Sequence, residues 1–460
     1  VTQHLEVASL RALADALREL DAAFAHLPTS PSGSSTSAPA AVDPRHSAIL
    51  KELAHRLADN YPYFHPLYAG QMLKPPHPIA RAAYALAMWL NPNNHALDGG
   101  RATSQLEIES VAAIAQMLGL PQHLGHLTGG GTVANLEALW IASRLHPGKR
   151  ILASAQSHYT HSRLCAVLGL DFTPVPTASD GRMDLAALEQ FLSAEEGTVG
   201  TIVATLGSTA TGAVDSLDHL LRLRDRYGFR LHADAAYGGY FTLASTLTPA
   251  TRAAFNALSF ADSIVIDPHK HGLQPYGCGC VLFRDSAVGR FYKHDSPYTY
   301  FTSAELHLGE ISLECSRPGA AAAALWATQQ LLPLTPGGDF ALALDSSLDA
   351  ARSLHARIAA DPRFLAPAAP PQHDIVFWTL RAPTPAQSST LARTVFGAAA
   401  ARDLHLALAE LPVTLFPSAA WPTPPPAGAT VTCLRSVLMK PEHRTWLHEI
   451  WSRLSAASSI

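Results

Sequence analysis

The chain has 460 residues and a mass of 49.0 kDa, with 48 % apolar but only 15 % charged residues. That balance excludes a disordered solvating chain and leaves ample material for two or three domains with a large core. Its 33 Lys and Arg against 37 Asp and Glu leave a net charge of −4. With no basic tract, the electrostatic footprint for gripping nucleic acid is missing. The apolar run that comes nearest to a membrane span, residues 82–90, falls well short of the roughly 18 residues needed. The first helix pattern (Leu5, Leu10, Leu13, Leu17, Leu20) is amphipathic and lacks the continuous apolar core of a leader peptide. Five cysteines, an odd number spread over a long chain, suit a reducing cytoplasm and argue against a disulfide framework. A soluble cytoplasmic protein is expected, with neither nucleic acid nor membrane as partner.

In chain order, the amphipathic start gives way to a Ser/Thr/Ala/Pro-rich linker at 28–44. The polar-aromatic stretch 61–78 carries too many prolines for one helix. Helices are predicted over 79–90 and 104–119. From there the pattern alternates: glycine-rich turn 128–132, helix 132–145, strand 150–154, helix 159–168, helix 184–194, strand 199–206, helix 215–227, strand 229–234, strand 263–266 and strand 279–283. Strands alternating with helices of this length predict βαβ units around a mainly parallel sheet, with the chemistry at the carboxyl ends of the strands. An alanine-rich helix at 317–332 leads into a second pattern: helix 339–360, strand 374–380, helix 387–402, strand 411–415, strand 430–437 and helix 442–456. The expected organisation is an N-terminal segment 1–75, a large α/β domain 76–335 and a small C-terminal α+β domain 336–460.

The chain has only six lysines. Lysine chemistry with a carbonyl needs an amine on rigid backbone in an environment that exposes its neutral form. Lys270 fits best, because the apolar strand 263–266 delivers it through Asp267-Pro268-His269 to a strand's carboxyl end. Asp234 terminates the strand Arg230-Leu231-His232-Ala233 at the same edge, and the small residues Ala235, Ala236, Gly238 and Gly239 leave room there for a flat ring. A carboxylate facing a pyridine nitrogen keeps it protonated and makes the ring an electron sink. Thr128-Gly129-Gly130-Gly131-Thr132, opening a helix, offers backbone N–H groups to a phosphate. It matches neither G-x-G-x-x-G nor G-x-x-x-x-G-K-[ST]. His158 and His161 lie one helical turn apart, but without companion ligands or H-E-x-x-H they do not predict a metal site. His158 instead suits an imidazole facing a flat cofactor. Cys278 and Cys280 read as small buried residues, and the lack of G-x-S-x-G leaves a serine hydrolase without support.

Five segments occur in a telling order: Thr128-Gly-Gly-Gly-Thr-Val-Ala-Asn135, Ser157-His-Tyr159, Ala204-Thr-Leu-Gly-Ser-Thr209, His232-Ala-Asp-Ala-Ala-Tyr-Gly-Gly239 and Ala261-Asp-Ser-Ile-Val-Ile-Asp-Pro-His-Lys270. Together they resemble the group II pyridoxal-5′-phosphate-dependent amino-acid decarboxylases, over about residues 50–440. The resemblance implies a fold-type I enzyme with a seven-stranded sheet, acting as a homodimer with active sites at the subunit interface. It makes Lys270 the Schiff-base lysine, Asp234 the partner of the pyridinium nitrogen, Ala236 and His158 the two faces of the ring's slot, and Thr209 a neighbour of its substituents. Gly130, Gly131 and Thr132 hold the phosphate, with help from His269 and Ser263. Arg435 matches an arginine that contacts the substrate carboxylate in some members. The family's loop tyrosine, linked to protonation of the substrate carbon, falls within 291–307, where Tyr298 is preferred over Tyr300.

The family's amino-terminal pocket segment corresponds to Tyr61-Pro-Tyr-Phe-His-Pro-Leu-Tyr68, so Tyr63, Phe64 and Tyr68 are expected to line the substrate site. Such a lining favours an aromatic L-amino acid, although Arg81 or Arg101 could receive an acidic side chain. Segment 311–319 departs from the animal aromatic enzymes and points to a bacterial-type branch. Two alternatives stay open: an aldehyde synthase or carbon–carbon lyase on the same scaffold, and a catalytically silent homologue that only binds.

Overall fold

The computed structural model describes residues 2–27, 43–293 and 311–459. Helix α1 (Thr2–Phe24) opens the chain. The expected linker 28–44 lies outside the described residues up to 42, and helix α2 (Pro44–Leu57) follows, where the sequence pattern suggested no element. Its start is nonetheless well encoded: Asp43 accepts the Arg45 N–H, and Pro44 occupies the first turn, where its missing donor costs nothing. Helices α3 (Pro78–Met88) and α4 (Arg101–Met117) lead into the central layer.

That layer is a seven-stranded sheet. In chain order it comprises β1 (Leu124–Thr128), β2 (Arg150–Ser154), β3 (Phe172–Val175), β4 (Val199–Thr205), β5 (Arg230–Asp234), β6 (Ser263–Ile266) and β7 (Gly279–Phe283), arranged β1-β7-β6-β5-β4-β2-β3. Only β7 runs against its neighbours. Between the strands run α5 (Gly131–Leu145), α6 (Thr160–Leu168), α7 (Leu185–Ala194), α8 (Leu217–Tyr227) and α9 (Pro249–Asn256). Every residue of β4, β6 and β7 is buried, as expected of a sheet covered on both faces, where strands become continuous apolar runs. Consequently Thr128, Ser154, Thr205, Asp234 and Ile266, each the last residue of its strand, reach one edge, joined there by Gly279 at the start of the reversed β7. The pattern had not suggested β1 or β3, each of which is five residues or fewer.

Helix α10 (Gly319–Leu331) and the long α11 (Asp339–Ala360) lead to a four-stranded antiparallel sheet of β8 (Phe364–Leu365), β9 (Ile375–Leu380), β10 (Ala407–Pro412) and β11 (Thr430–Val437), ordered β10-β11-β9-β8. Helices α12 (Pro385–Ala400) and α13 (His443–Ala457) complete this region, whose core contains the fully buried Trp378. The strand expected at 411–415 is displaced: pairing covers 407–412, and 413–415 form a short 3-10 turn. Pro412 cannot donate to a continuing ladder, so the strand stops there. Among the described residues, no helix is long and apolar enough to cross a membrane.

A buried network holds β1 in place. Glu107 of α4 accepts the Leu127 N–H at 2.9 Å, the Asn94 amide at 2.7 Å and the Arg317 guanidinium at 2.6 Å. Arg317 also donates to the Leu127 carbonyl at 2.8 Å. Replacing Glu107 with Ala leaves that guanidinium buried without its counter-charge, which should cost about 3–5 kcal/mol. Urea denaturation of Glu107→Ala measures this, and a loss below about 1 kcal/mol would mean that the pair does not anchor the strand.

Candidate active site

The carboxyl edge of the large sheet encloses a cavity of about 270 Å³ lined by Lys270, Asp234, His158, Thr209, Ala236, His269 and the turn 129–132. Most of the site residues expected from the sequence therefore share one space.

At the cavity's base, Asp234 is buried at the end of β5, and its Oδ2 accepts the His161 Nε2–H at 2.8 Å. Its Oδ1 accepts the Ala236 N–H at 3.1 Å. Burial alone would raise this carboxyl's pKa, but the bond and charge of His161, with the charges of Lys270 and His232, outweigh it and hold the group well below the usual carboxylate range. Asp234 is thus an anion at neutral pH. The pairing of His161 with Asp234 divides it from His158 and gives it a task the sequence reading missed. The signal was its place at the start of α6, a few residues beyond the carboxyl end of β2. Behind it, His232 bridges Asn135 and Ser263 at 2.8 and 2.9 Å, and burial lowers its pKa to about 3.

Lys270 follows β6, with its Nζ 3.0 Å from Asp267 Oδ2. The other Asp267 oxygen is buried without a partner. Asp267, which also lines the cavity, is a second residue the sequence reading did not single out. The glycine turn lies opposite. Gly130 has φ +143°, a conformation open to glycine, and a Cβ on Gly131 would stand 2.6 Å from Asp267 Oδ2. At the start of α5, the N–H groups of Gly131, Thr132 and Val133 have no intrahelical acceptor, which is the arrangement an anion needs. His158 Nδ1 lies 2.7 Å from the Thr160 hydroxyl, and burial keeps the ring's pKa below the ordinary imidazole value. His269 Nδ1 is 2.8 Å from the Cys278 carbonyl.

Several expected residues lie elsewhere. Ser263 begins β6, at the opposite end of the strand from Lys270; its hydroxyl meets His232 and does not line the cavity. The resemblance put Ser263 with the phosphate-binding groups, but a four-residue strand carries it away from Lys270. Tyr63 packs edge-on against Tyr68 at 4.9 Å, and the exposed Phe64 borders a different cavity beside Lys74 and Lys440; none of the three lines the 270 Å³ cavity. Arg435 is buried in β11, donating to the Thr209 carbonyl and to Gln71 at 3.2 Å. It touches the site through Thr209. Tyr298 and Tyr300 lie outside the described residues.

The pyridoxal-dependent decarboxylase conserved domain matches residues 136–380, just over half of the chain. The chain belongs to that family. It is 29 % identical over 404 aligned residues to an L-tyrosine decarboxylase of Enterococcus faecium, covering 66 % of each protein. A probable L-tyrosine/L-aspartate decarboxylase of Methanoculleus marisnigri is 33 % identical over 266 residues, covering 57 % of this chain and 69 % of that one. The chain spans only 62–66 % of the length of the bacterial tyrosine decarboxylases it matches. In fold it is similar to the Oryza sativa TDC crystallised with PLP and tryptamine, with a TM-score of 0.77, 18 % identity and coverage of 99 % and 97 %.

Pyridoxal 5′-phosphate is the cofactor of this decarboxylase-family chain, and the residues present fit it. The cavity supplies an amine at Lys270, an ionised carboxylate at Asp234, unpaired helix-start N–H groups at the glycine turn and a small Ala236 wall.

The depressed Asp234 carboxyl has a consequence for stability. Its folded-state pKa lies below the unfolded value near ~3.9, so its contribution is full above that pH and is lost as pH falls. Asp234→Asn should therefore flatten the fall in unfolding free energy between about pH 5 and pH 3, measured by urea titration of the cofactor-free protein. An unaltered slope would show that the carboxyl is not held low.

Proposed function

We propose that this chain decarboxylates an aromatic L-amino acid to the amine and CO₂, in the cytoplasm and as a homodimer. The observation that carries this reading is that Lys270 and Asp234 line one cavity of about 270 Å³, with the glycine turn that starts α5 on its wall. Decarboxylase and tyrosine in the names of the matched relatives support the reaction and the substrate class.

Bound there, pyridoxal phosphate supplies an electron sink for the pair released when the carboxylate leaves. Lys270 supplies the amine that tethers the cofactor's aldehyde. Asp234, kept ionised by His161, holds a proton on the pyridine nitrogen. The N–H groups of Gly131 and Thr132 bind the phosphate, with the backbone around Gly130 leaving room for it. Ala236 and His158 bound the ring's slot, and His158, neutral at physiological pH, orients without adding charge. Arg435, expected from the resemblance to serve the substrate carboxylate, does not line the cavity and is proposed to act there through the Thr209 carbonyl that accepts from its guanidinium. The proton for the substrate carbon is assigned to Tyr298.

The test incubates the protein and pyridoxal phosphate with each of the twenty common amino acids and measures CO₂ release, identifying the amine by mass. L-Tyrosine or another aromatic should dominate; preference for L-aspartate would overturn the aromatic assignment, and aldehyde in place of amine would overturn simple decarboxylation. Borohydride reduction should fix the cofactor covalently to the native chain and not to Lys270→Ala. Persistent attachment in the variant would defeat the lysine assignment.

A further inference from the structure

Behind the cavity, at the contact between the two sheets' regions, lies a buried carboxylate that none of the roles above uses. Asp374 immediately precedes β9 and is fully buried. Its Oδ1 accepts the Tyr237 hydroxyl at 2.6 Å, and its Oδ2 lies 3.1 Å from His271 Nε2. Its own backbone is held too: the Leu438 N–H donates to the Asp374 carbonyl at 2.8 Å, and neighbouring His373 reaches the Gly212 carbonyl at 2.8 Å.

The two groups that meet this carboxylate come from the large sheet's region, and each stands beside cofactor-site residues. Tyr237 follows Ala236 and lines the cavity. His271 follows Lys270. Their rings pack edge-on at 4.8 Å, and Phe241 closes over His271 at 4.9 Å. We propose that Asp374 is a positioning residue for the cofactor site: it holds Tyr237 as a fixed wall of the cavity and His271 as a fixed backing to Lys270, so that seating of the small region sets the geometry of the lysine. This inference rests on the function proposed above.

Energetics point the same way. A buried carboxylate without a direct ion pair to Lys or Arg carries a desolvation cost that a neutral amide acceptor would avoid. Here its neighbours are a phenol and an imidazole, with Lys74 and Arg435 acting only through their fields. A charge-assisted bond is shorter and stiffer than a neutral one. With its proton committed to Asp374, Tyr237 offers the cavity its ring and not a mobile donor. Burial and the adjacent anion both keep that phenol protonated. Misplacing a reacting group by about 1 Å can cost on the order of 100-fold in rate, which is the scale at which such a brace matters.

The test uses the cofactor-loaded protein with L-tyrosine as substrate and compares Asp374→Asn, Tyr237→Phe and the double variant. Each single variant should lower kcat by roughly 10–100-fold and leave KM within about twofold. Each should also weaken the visible circular dichroism of the bound cofactor, which reports how rigidly the ring is held. The double variant should be no worse than the worse single one, because both changes break one unit. Unaltered kcat in either single variant, losses that multiply in the double variant, or a lower unfolding temperature with undiminished dichroism would each overturn the proposal. Should Asp374→Asn fail to fold, Tyr237→Phe alone still decides, since it must lose both rate and dichroism. Native protein that binds cofactor but leaves L-tyrosine intact would defeat the substrate assignment and leave the dichroism comparison to judge the brace.

Discussion

Asp234 and His161 form the contact on which the rest of the site depends. A carboxylate at the end of a fully covered sheet would ordinarily take up a proton, because burial penalises its charge. The His161 N–H at 2.8 Å, with its charge and those of Lys270 and His232, reverses that outcome. The molecule thereby keeps a fixed negative charge at Asp234 in a pocket that also holds an amine at Lys270, paired with Asp267, and the amides of a helix start. A pyridine ring with a phosphate tail is matched to that polarity at both ends.

The scaffold supports this polarity with two kinds of buried network. Glu107 and Arg317 hold the edge of β1, so that the glycine turn leaves the sheet at a fixed angle. Asp374, Tyr237 and His271 brace the opposite side, where the small antiparallel sheet meets the large one. Both place charge where an apolar core would be cheaper; the first reaches the cavity wall through Leu127, two residues before Gly129, and the second through Tyr237, which lines the cavity itself. Geometry near the cofactor is therefore set by directional bonds, while the apolar clusters farther out supply most of the cohesion.

Residue order along the chain carried much of this, and for identifiable reasons. Short apolar strands 150–154, 263–266 and 279–283 appear in the structure with the same bounds, because a strand buried on both faces has to be an apolar run. The gathering of Lys270, Asp234, His158 and Gly130 followed from a topological rule: parallel strands deliver their carboxyl ends to one edge. Strands β1 (Leu124–Thr128) and β3 (Phe172–Val175) escaped notice because Gly125, His126, Thr173 and Pro174 break what would otherwise be an apolar run. Strand β10 was shifted because Leu and Ala alternate there among alanines that suit a helix equally well.

Pairwise partnership is what the linear text withheld. Nothing in Ser157-His-Tyr-Thr-His161 says which histidine turns toward Asp234, 73 residues away, and nothing near Ser263 says that its hydroxyl faces His232. By itself, the sequence determined the fold class, the family and the edge where chemistry gathers, since these follow from local periodicity and motifs that each occupy a few adjacent residues. Only the tertiary structure decided that His161 keeps Asp234 ionised, that Asp267 sits beside Lys270, and that Asp374 crosses between the two sheets to reach Tyr237. Those outcomes depend on distances of about 3 Å between residues far apart in the chain, which no local pattern encodes.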